Sequence, residues 1–224
     1  MDKLTLLPLV ITIAAYQIGL FASKKVKFPL CNPLLIAIVL VIGTLLLTGY
    51  PNETYQSGMA GISWLLTPAT VCLAVPLYEH LQILKKDLKA ILTGICAGTV
   101  TSLLFIFAFC RLLVADKVIL ASLLPKSVTT AVGLVLSAQA GGTPAITAAA
   151  IIITGILGSI LGPLLCKLFC IRNPVAQGVA FGTASHVIGT SKAHELSALS
   201  GAVSSLSLTV AAVLTAILFP FFTA

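Results

Sequence analysis

Two stretches of this chain concentrate its polar side chains and its helix-breaking residues. The first, PKSVTTAVGLVLSAQAGGTPAIT over 125–147, gathers Ser127, Thr129, Thr130, Ser137, Gln139, Thr143 and Thr147 among glycines and prolines. The second, GVAFGTASHVIGTSKAHE over 178–195, sets Thr183, Ser185, Thr190 and Ser191 between Gly178, Gly182 and Gly189, then adds His186, Lys192, His194 and Glu195. Backbone groups freed by Pro or Gly find no partner in hydrocarbon, so such segments are buried in protein or line a water-filled cavity. Pro125 and Pro144 bracket the first stretch, and Gly141-Gly142 breaks any helix ending near Ala140. Freed N–H groups at a half-helix N-terminus near Ser127 favour an anion, because the helix dipole and the unpaired donors point the same way. Lys126 stands beside that terminus. Small and hydroxylic residues also serve close helix packing, so one such stretch alone leaves binding and packing open; the second tips the reading toward a site. An ionisable group at membrane depth is costly and marks function, which singles out His186. Lys192 to Glu195 suit the interface, where a solvated loop is the plain alternative.

A third stretch, LLTPATVCLAVPLYEH over 65–80, carries two prolines within one apolar run. It predicts a broken third helix around Thr67, Pro68, Thr70 and Pro76. Asn32-Pro33 at the mouth of the second helix suits a cap, with a place facing the same cavity as the alternative.

Composition fixes the elements that hold these stretches. Apolar residues fill 58% of 224 positions and charged ones only 8%, against about 25% charged in a soluble domain. The chain is therefore an integral membrane protein, read as a single domain over 1–224. Its length suits roughly six to eight crossings at about 20 residues each. The net charge of +7 comes from lysines clustered in short loops, which is a topology signal and not a nucleic-acid footprint. The six cysteines are scattered without a CxxC pair, giving neither a disulfide framework nor a zinc site. The first apolar run has its lysines after it, the opposite of a cleavable signal peptide.

Apolar segments recur at 4–22, 33–49, 60–78, 90–114, 145–168 and 196–222, with shorter polar-dotted ones at 118–142 and 174–190. SKKVKFPLCN and EHLQILKKDLK read as cytoplasmic loops and YPNETYQSG as an external one. Beyond the fourth helix two arrangements stand. Either 118–142 crosses fully, or it enters from outside and turns back. The second choice puts Lys167, Arg172 and Lys192 inside and makes 174–190 dip in from the cytoplasm. TGICAGTVTSLL from Thr93 is echoed by TGILGSILGPLL from Thr154, the sign of a candidate inverted repeat. The expected fold is all-α: a polytopic membrane protein of about 6–8 transmembrane helices with two or three broken or re-entrant segments. No G-x-S-x-G elbow, HExxH or Walker loop is present and no two carboxylates share an apolar segment, so neither catalysis nor a metal or other cofactor is expected.

LLTPATVCLAVPLY, LLPKSVTTAVG, GGTPAI, GILG and GTASHVIGTSKAHE resemble the LrgB/CidB family of bacterial membrane proteins, nearly end to end. One departure is Ala131, where family members often carry proline after SVTT. The resemblance implies two functions. One is a holin-like or antiholin-like regulator of murein hydrolase activity and autolysis. The other is a carrier of small carboxylates: pyruvate in bacteria, glycolate and glycerate in the related chloroplast envelope transporter. It also implies a separate LrgA/CidA-like partner subunit, a homo- or hetero-oligomer and the bacterial cytoplasmic membrane. The residues favour the carrier, with a passive osmolyte channel as a third class. The candidate substrate contacts are Lys126, Ser127, Thr129, Thr130, Gly141, Gly142, Thr183, Ser185, His186 and Lys192, with His186 and Glu195 as candidates for proton coupling.

Overall fold

The computed structural model describes residues 3–25, 33–65, 68, 71–72, 74–113 and 116–223, and its regular elements are all helical. The chain divides into two compact units, Met1–Cys72 and Leu73–Ala224. In the first, α1 (Lys3–Lys25) packs on α2 (Pro33–Thr48) and α3 (Asn52–Trp64). Thr12 Oγ1 and the Tyr55 hydroxyl lie 2.7 Å apart between α1 and α3. YPNETYQSG is thus largely helix and not loop. Pro51 holds an extended backbone just before α3, and Glu53 lies in its first turn, where a carboxylate complements the helix dipole. The run 60–78 is correspondingly not one element, because α3 ends at Trp64. Pro68 is helical and exposed, and Pro76 lies within α4 (Ala74–Glu79). Thr67, Thr70 and Asn32 lie outside the described residues.

The second unit continues with α5 (Leu81–Lys86), α6 (Leu88–Leu112), α7 (Lys117–Leu123), α8 (Thr130–Gln139), α9 (Pro144–Leu168), α10 (Pro174–Leu196) and α11 (Ala198–Thr223). Among the described residues, four helical stretches are long and apolar enough to span a bilayer: Leu7–Lys25, Leu88–Leu112, Pro144–Leu168 and Ala198–Thr223. Pro33–Thr48 and Thr130–Gln139 are shorter apolar helices.

Both polar stretches fold back on themselves. The first is α7, a turn over 124–129, and α8. Leu120 and Leu124 pack with Leu136 and Ala140 of the returning arm, and Ser122 Oγ accepts the Thr143 N–H at 2.7 Å. In this hairpin A the open end lies beside Cys110 of α6 and Phe219 of α11. Its tip reaches the middle of α6, where Ser127 Oγ is 3.1 Å from Ser102 Oγ. A Schellman turn ends α8: the Gly142 N–H bonds the Ser137 carbonyl at 2.8 Å and Gly141 takes φ 77°, a left-handed position that costs other residues about 1–2 kcal/mol.

The second stretch is α10, whose helical backbone breaks at Ser185 (φ −133°, ψ 16°) and His186 (φ 42°, ψ −139°). Beyond the break the chain reverses. Gly189 returns against Phe181 and Ser185, and Ala193 clusters with Phe181 and Cys166. Going outward, Gly178 meets Ser200 and Val203 of α11, and Gly182 meets Ser204 and Ser207. Coming back, Thr190 meets Ser204 and His194 meets Gly201. The result is hairpin B, with arms 174–184 and 187–196.

The two hairpins point at each other. Ile91 and Ile95 of α6 pack with Val203 of α11 at one end, while Leu103 and Cys110 pack with Phe219 at the other, so α6 and α11 run parallel. Helix α9 runs the opposite way: Thr147 Oγ1 lies 2.6 Å from Ser137 Oγ of hairpin A, and Cys166 ends beside hairpin B.

Missing side chains let hairpin B in. Gly94 and Gly98 of α6 face Val179 and Thr183; Gly155, Gly158 and Gly162 of α9 face His186, Ser185 and Phe181. A Cβ at Gly182 would meet the Ser204 carbonyl and stand 3.0 Å from the Leu208 nitrogen. Gly182→Val should therefore lower stability by about 1–3 kcal/mol, read as thermal melting in detergent. Gly43→Ala, with nothing within 4 Å of the added carbon, should be neutral or gain up to about 1 kcal/mol. Equal melting of both variants would remove close packing of hairpin B from the requirements of the fold.

Candidate functional site

The site is built where the hairpin tips meet. On hairpin A, Pro125 is fully buried, the Val128 N–H bonds the Pro125 carbonyl at 3.2 Å, and Lys126 Nζ donates to Ser127 Oγ at 3.4 Å. On hairpin B, His186 is 4% exposed and its Nε2 lies 2.9 Å from the Ile151 carbonyl. A carbonyl only accepts, so Nε2 carries the proton. The His186 carbonyl accepts from Thr190 Oγ1 at 2.9 Å, and Thr190 Oγ1 is 2.8 Å from Ser204 Oγ. The His186 backbone angles cost a non-glycine residue about 1–3 kcal/mol, which these bonds offset.

Ile151 of α9 serves both tips. It is fully buried; its carbonyl holds His186 while its Cδ1 lies where a Cβ on Gly133 of α8 would stand.

Three contiguous spaces lead to the tips. A groove of about 480 Å³ lies between α6 and the first arm of hairpin B, from Asp87 and Asn173 to Gly94, Val179 and Ala180. Those last three residues also line a chamber of about 240 Å³ with Gly98, Ser102, Lys126, Ser127 and Thr183. Ser102, Ser127 and Thr183 in turn form the neck of an inner chamber of about 10 Å³, closed by Thr99, Leu103, Leu124, Ala211 and Thr215. The mouth is firm: Asn173 Oδ1 accepts the Val175 N–H at 2.8 Å and Pro174 opens the helix, a strong N-terminal cap.

Of the residues expected from sequence, Lys126, Ser127 and Thr183 share the middle chamber. His186 and Ser185 form the tip of hairpin B on its α9 side, Ser185 resting on Gly158. Thr129 is the N-cap residue of α8, and Thr130 opens that helix exposed. Gly141 and Gly142 lie at the open end of hairpin A, away from the tips. Lys192 pairs with Glu195 at 2.5 Å on the returning arm of hairpin B. Sequence reasoning missed Gly94, Gly98, Thr99 and Ser102 on α6 and Thr215 on α11, because it treated those segments as plain spans. The i, i+4, i+8 spacing of Gly94, Gly98 and Ser102 puts small residues on one helix face and was the available signal.

Long apolar helices around two buried polar hairpins define a polytopic helical membrane protein. The LrgB-like family profile matches residues 12–224, and the chain belongs to the LrgB-like family. It is 38% identical over 214 residues to holin-like protein CidB of Staphylococcus epidermidis, covering 96% of this chain and 93% of that protein. It is 36% identical over 215 residues to antiholin-like protein LrgB of Bacillus cereus, covering 96% and 94%. It is 37% identical over 203 residues to the uncharacterized protein YwbG of Bacillus subtilis, covering 89% and 90%. None of these names is that of an enzyme. No solved structure matches the chain.

Proposed function

We propose that this protein is a secondary transporter of small carboxylates of the pyruvate, glycolate and glycerate class. In this reading it sits in the bacterial cytoplasmic membrane, in an oligomer with a small LrgA/CidA-like partner. The observation that carries the reading is the half-open pocket where Lys126 and Ser127 of one hairpin meet Thr183 of the opposing one, continuous with the groove that starts at Asp87 and Asn173. Opposed broken segments flanking a central site are a recurrent carrier arrangement, and a pore has no need of such a chamber. The order helix, hairpin, helix, hairpin with reversed polarity supports an inverted repeat, and the echoed TGI motifs lie on the two corresponding helices, α6 and α9.

Lys85, Lys86, Lys89, Lys167, Arg172 and Lys192 gather toward the open end of hairpin B, against Arg111 and Lys117 at that of hairpin A. By the positive-inside bias, hairpin B enters from the cytoplasm and hairpin A from outside, and the path opens inward. The Lys126 ammonium pairs with the substrate carboxylate. The backbone of 127–130 and 183–186 and the hydroxyls of Ser127 and Thr183 complete the contacts, and His186 carries a coupling proton. Gly141, Gly142, Lys192 and Glu195 are left outside the binding set.

A second reading, a regulator of murein hydrolase activity without transport of its own, is favoured by the printed names of the relatives, holin-like and antiholin-like. Counterflow of labelled pyruvate and glycolate in proteoliposomes, with and without an LrgA-type partner, separates the two. The carrier should show saturable counterflow that Lys126→Gln weakens roughly tenfold or more, the loss expected when a buried charge pair is broken. No flux from folded protein would favour the regulator.

Two further outcomes are expected. His186→Gln should flatten the pH dependence of flux while leaving the melting temperature nearly unchanged; an unaltered pH profile would free His186 of the coupling role. In a cysteine-free background, a membrane-impermeant thiol reagent added to intact cells should modify the Lys117→Cys variant and spare the Lys192→Cys variant. Labelling of both from one side would overturn opposite entry.

A further inference from the structure

Thr99 and Thr183 are each at least nine-tenths buried, at 3% and 5% exposure, and the Oγ1 of each has no hydrogen-bond partner among the described residues. A buried hydroxyl left unpaired costs about 1–3 kcal/mol, and such groups are rare enough to call for a reason. In a helix the ordinary solution is a bond to the carbonyl four residues back. Thr12, Thr44, Thr93, Thr190 and Thr209 all take it, and Thr99 and Thr183 do not. Both line the same inner chamber. Thr183 turns its methyl onto Gly98, which leaves its hydroxyl for the chamber side.

We infer that Thr99 and Thr183 are the specificity-determining residues of the carrier, pairing with the oxygen that the substrate bears on the carbon next to its carboxylate. The inference rests on the transporter reading above. With the carboxylate on Lys126 in the middle chamber, Ser127 and Thr183 stand at the neck, so the adjacent carbon occupies the neck and its substituent enters the inner chamber. That space is about 10 Å³, close to the room one water-sized oxygen needs. An oxo oxygen accepts from both threonines; a hydroxyl accepts from one and donates to the other. A methyl or hydrogen there satisfies neither, and a site built to bond a substrate oxygen strongly rejects the analogue lacking it.

The test compares labelled glycolate with labelled acetate, which differ only in that oxygen. Half-saturation and counterflow are measured in proteoliposomes, and thermal stabilisation by each acid is measured on the purified protein. Wild type should prefer glycolate by roughly a hundredfold, the discrimination of about two good hydrogen bonds. Thr99→Val and Thr183→Val should each raise half-saturation for glycolate about tenfold, narrow the preference for glycolate over acetate, and melt no lower than wild type without ligand. Thr99→Ser and Thr183→Ser, which keep the hydroxyl, should keep the preference. If wild type moves glycolate and both valine variants retain its discrimination, the assignment of Thr99 and Thr183 falls while the carrier stands. If wild type neither moves nor is stabilised by either acid, the carrier reading falls and takes this inference with it.

Discussion

The whole second unit depends on how closely hairpin B approaches its neighbours. Apolar surfaces gain little by meeting each other in lipid, so helices there associate through tight packing and hydrogen bonds. A hairpin is the hardest case, since its tip must be held by groups deep in the protein. Here the contact is made by subtraction: α6 offers Gly94 and Gly98, α9 offers Gly155, Gly158 and Gly162, and the hairpin offers Gly178 and Gly182 to α11. Backbone and small side chains then come within reach of each other. The bond from His186 to the Ile151 carbonyl and the contact of Thr190 with Ser204 both follow from that proximity.

Polar atoms in this interior fall into two groups. Most are answered locally. Along α11, Ser205, Ser207 and Thr209 donate to the carbonyls of Gly201, Val203 and Ser205, so a helix with half of its apolar window buried carries hydroxyls at little cost. Among the described residues the unanswered ones are Thr99 and Thr183, with Nε2 of His194, whose ring rests on Gly201 from the returning arm of hairpin B. The first pair faces a cavity. That difference in hydrogen bonding separates hydroxyls that serve helix packing from those that face a cavity, which composition alone does not.

Much of this is legible in the sequence. Pro125, Gly141-Gly142 and the SVTT run mark a helix that must stop and restart, and the break falls at 124–129. GTASH marks the second break, which falls on Ser185 and His186. Prolines and glycines speak through local backbone chemistry, and local chemistry is what a single sequence records. The neighbours of the tips were not legible. Thr99 and Ser102 look like ordinary residues of a membrane helix, and Thr215 sits in a run of Ala, Leu and Val; only the arrival of hairpins from elsewhere in the chain turns them into walls of a chamber. The start of α3 was missed for a related reason: Asn52 to Gly58 is polar enough to pass for loop, yet Glu53 and the preceding proline suit a helix start.

Ile151 gives the arrangement a mechanical character. Its carbonyl is fastened to one tip and its side chain fills the space behind the other. Withdrawing hairpin B breaks the bond to His186, and shifting α9 to follow it drags Cδ1 away from Gly133 and unseats hairpin A. The two tips therefore behave as the ends of a seesaw pivoted on α9, in which neither travels without loading the other. Moving either tip by itself would require the pivot to give way.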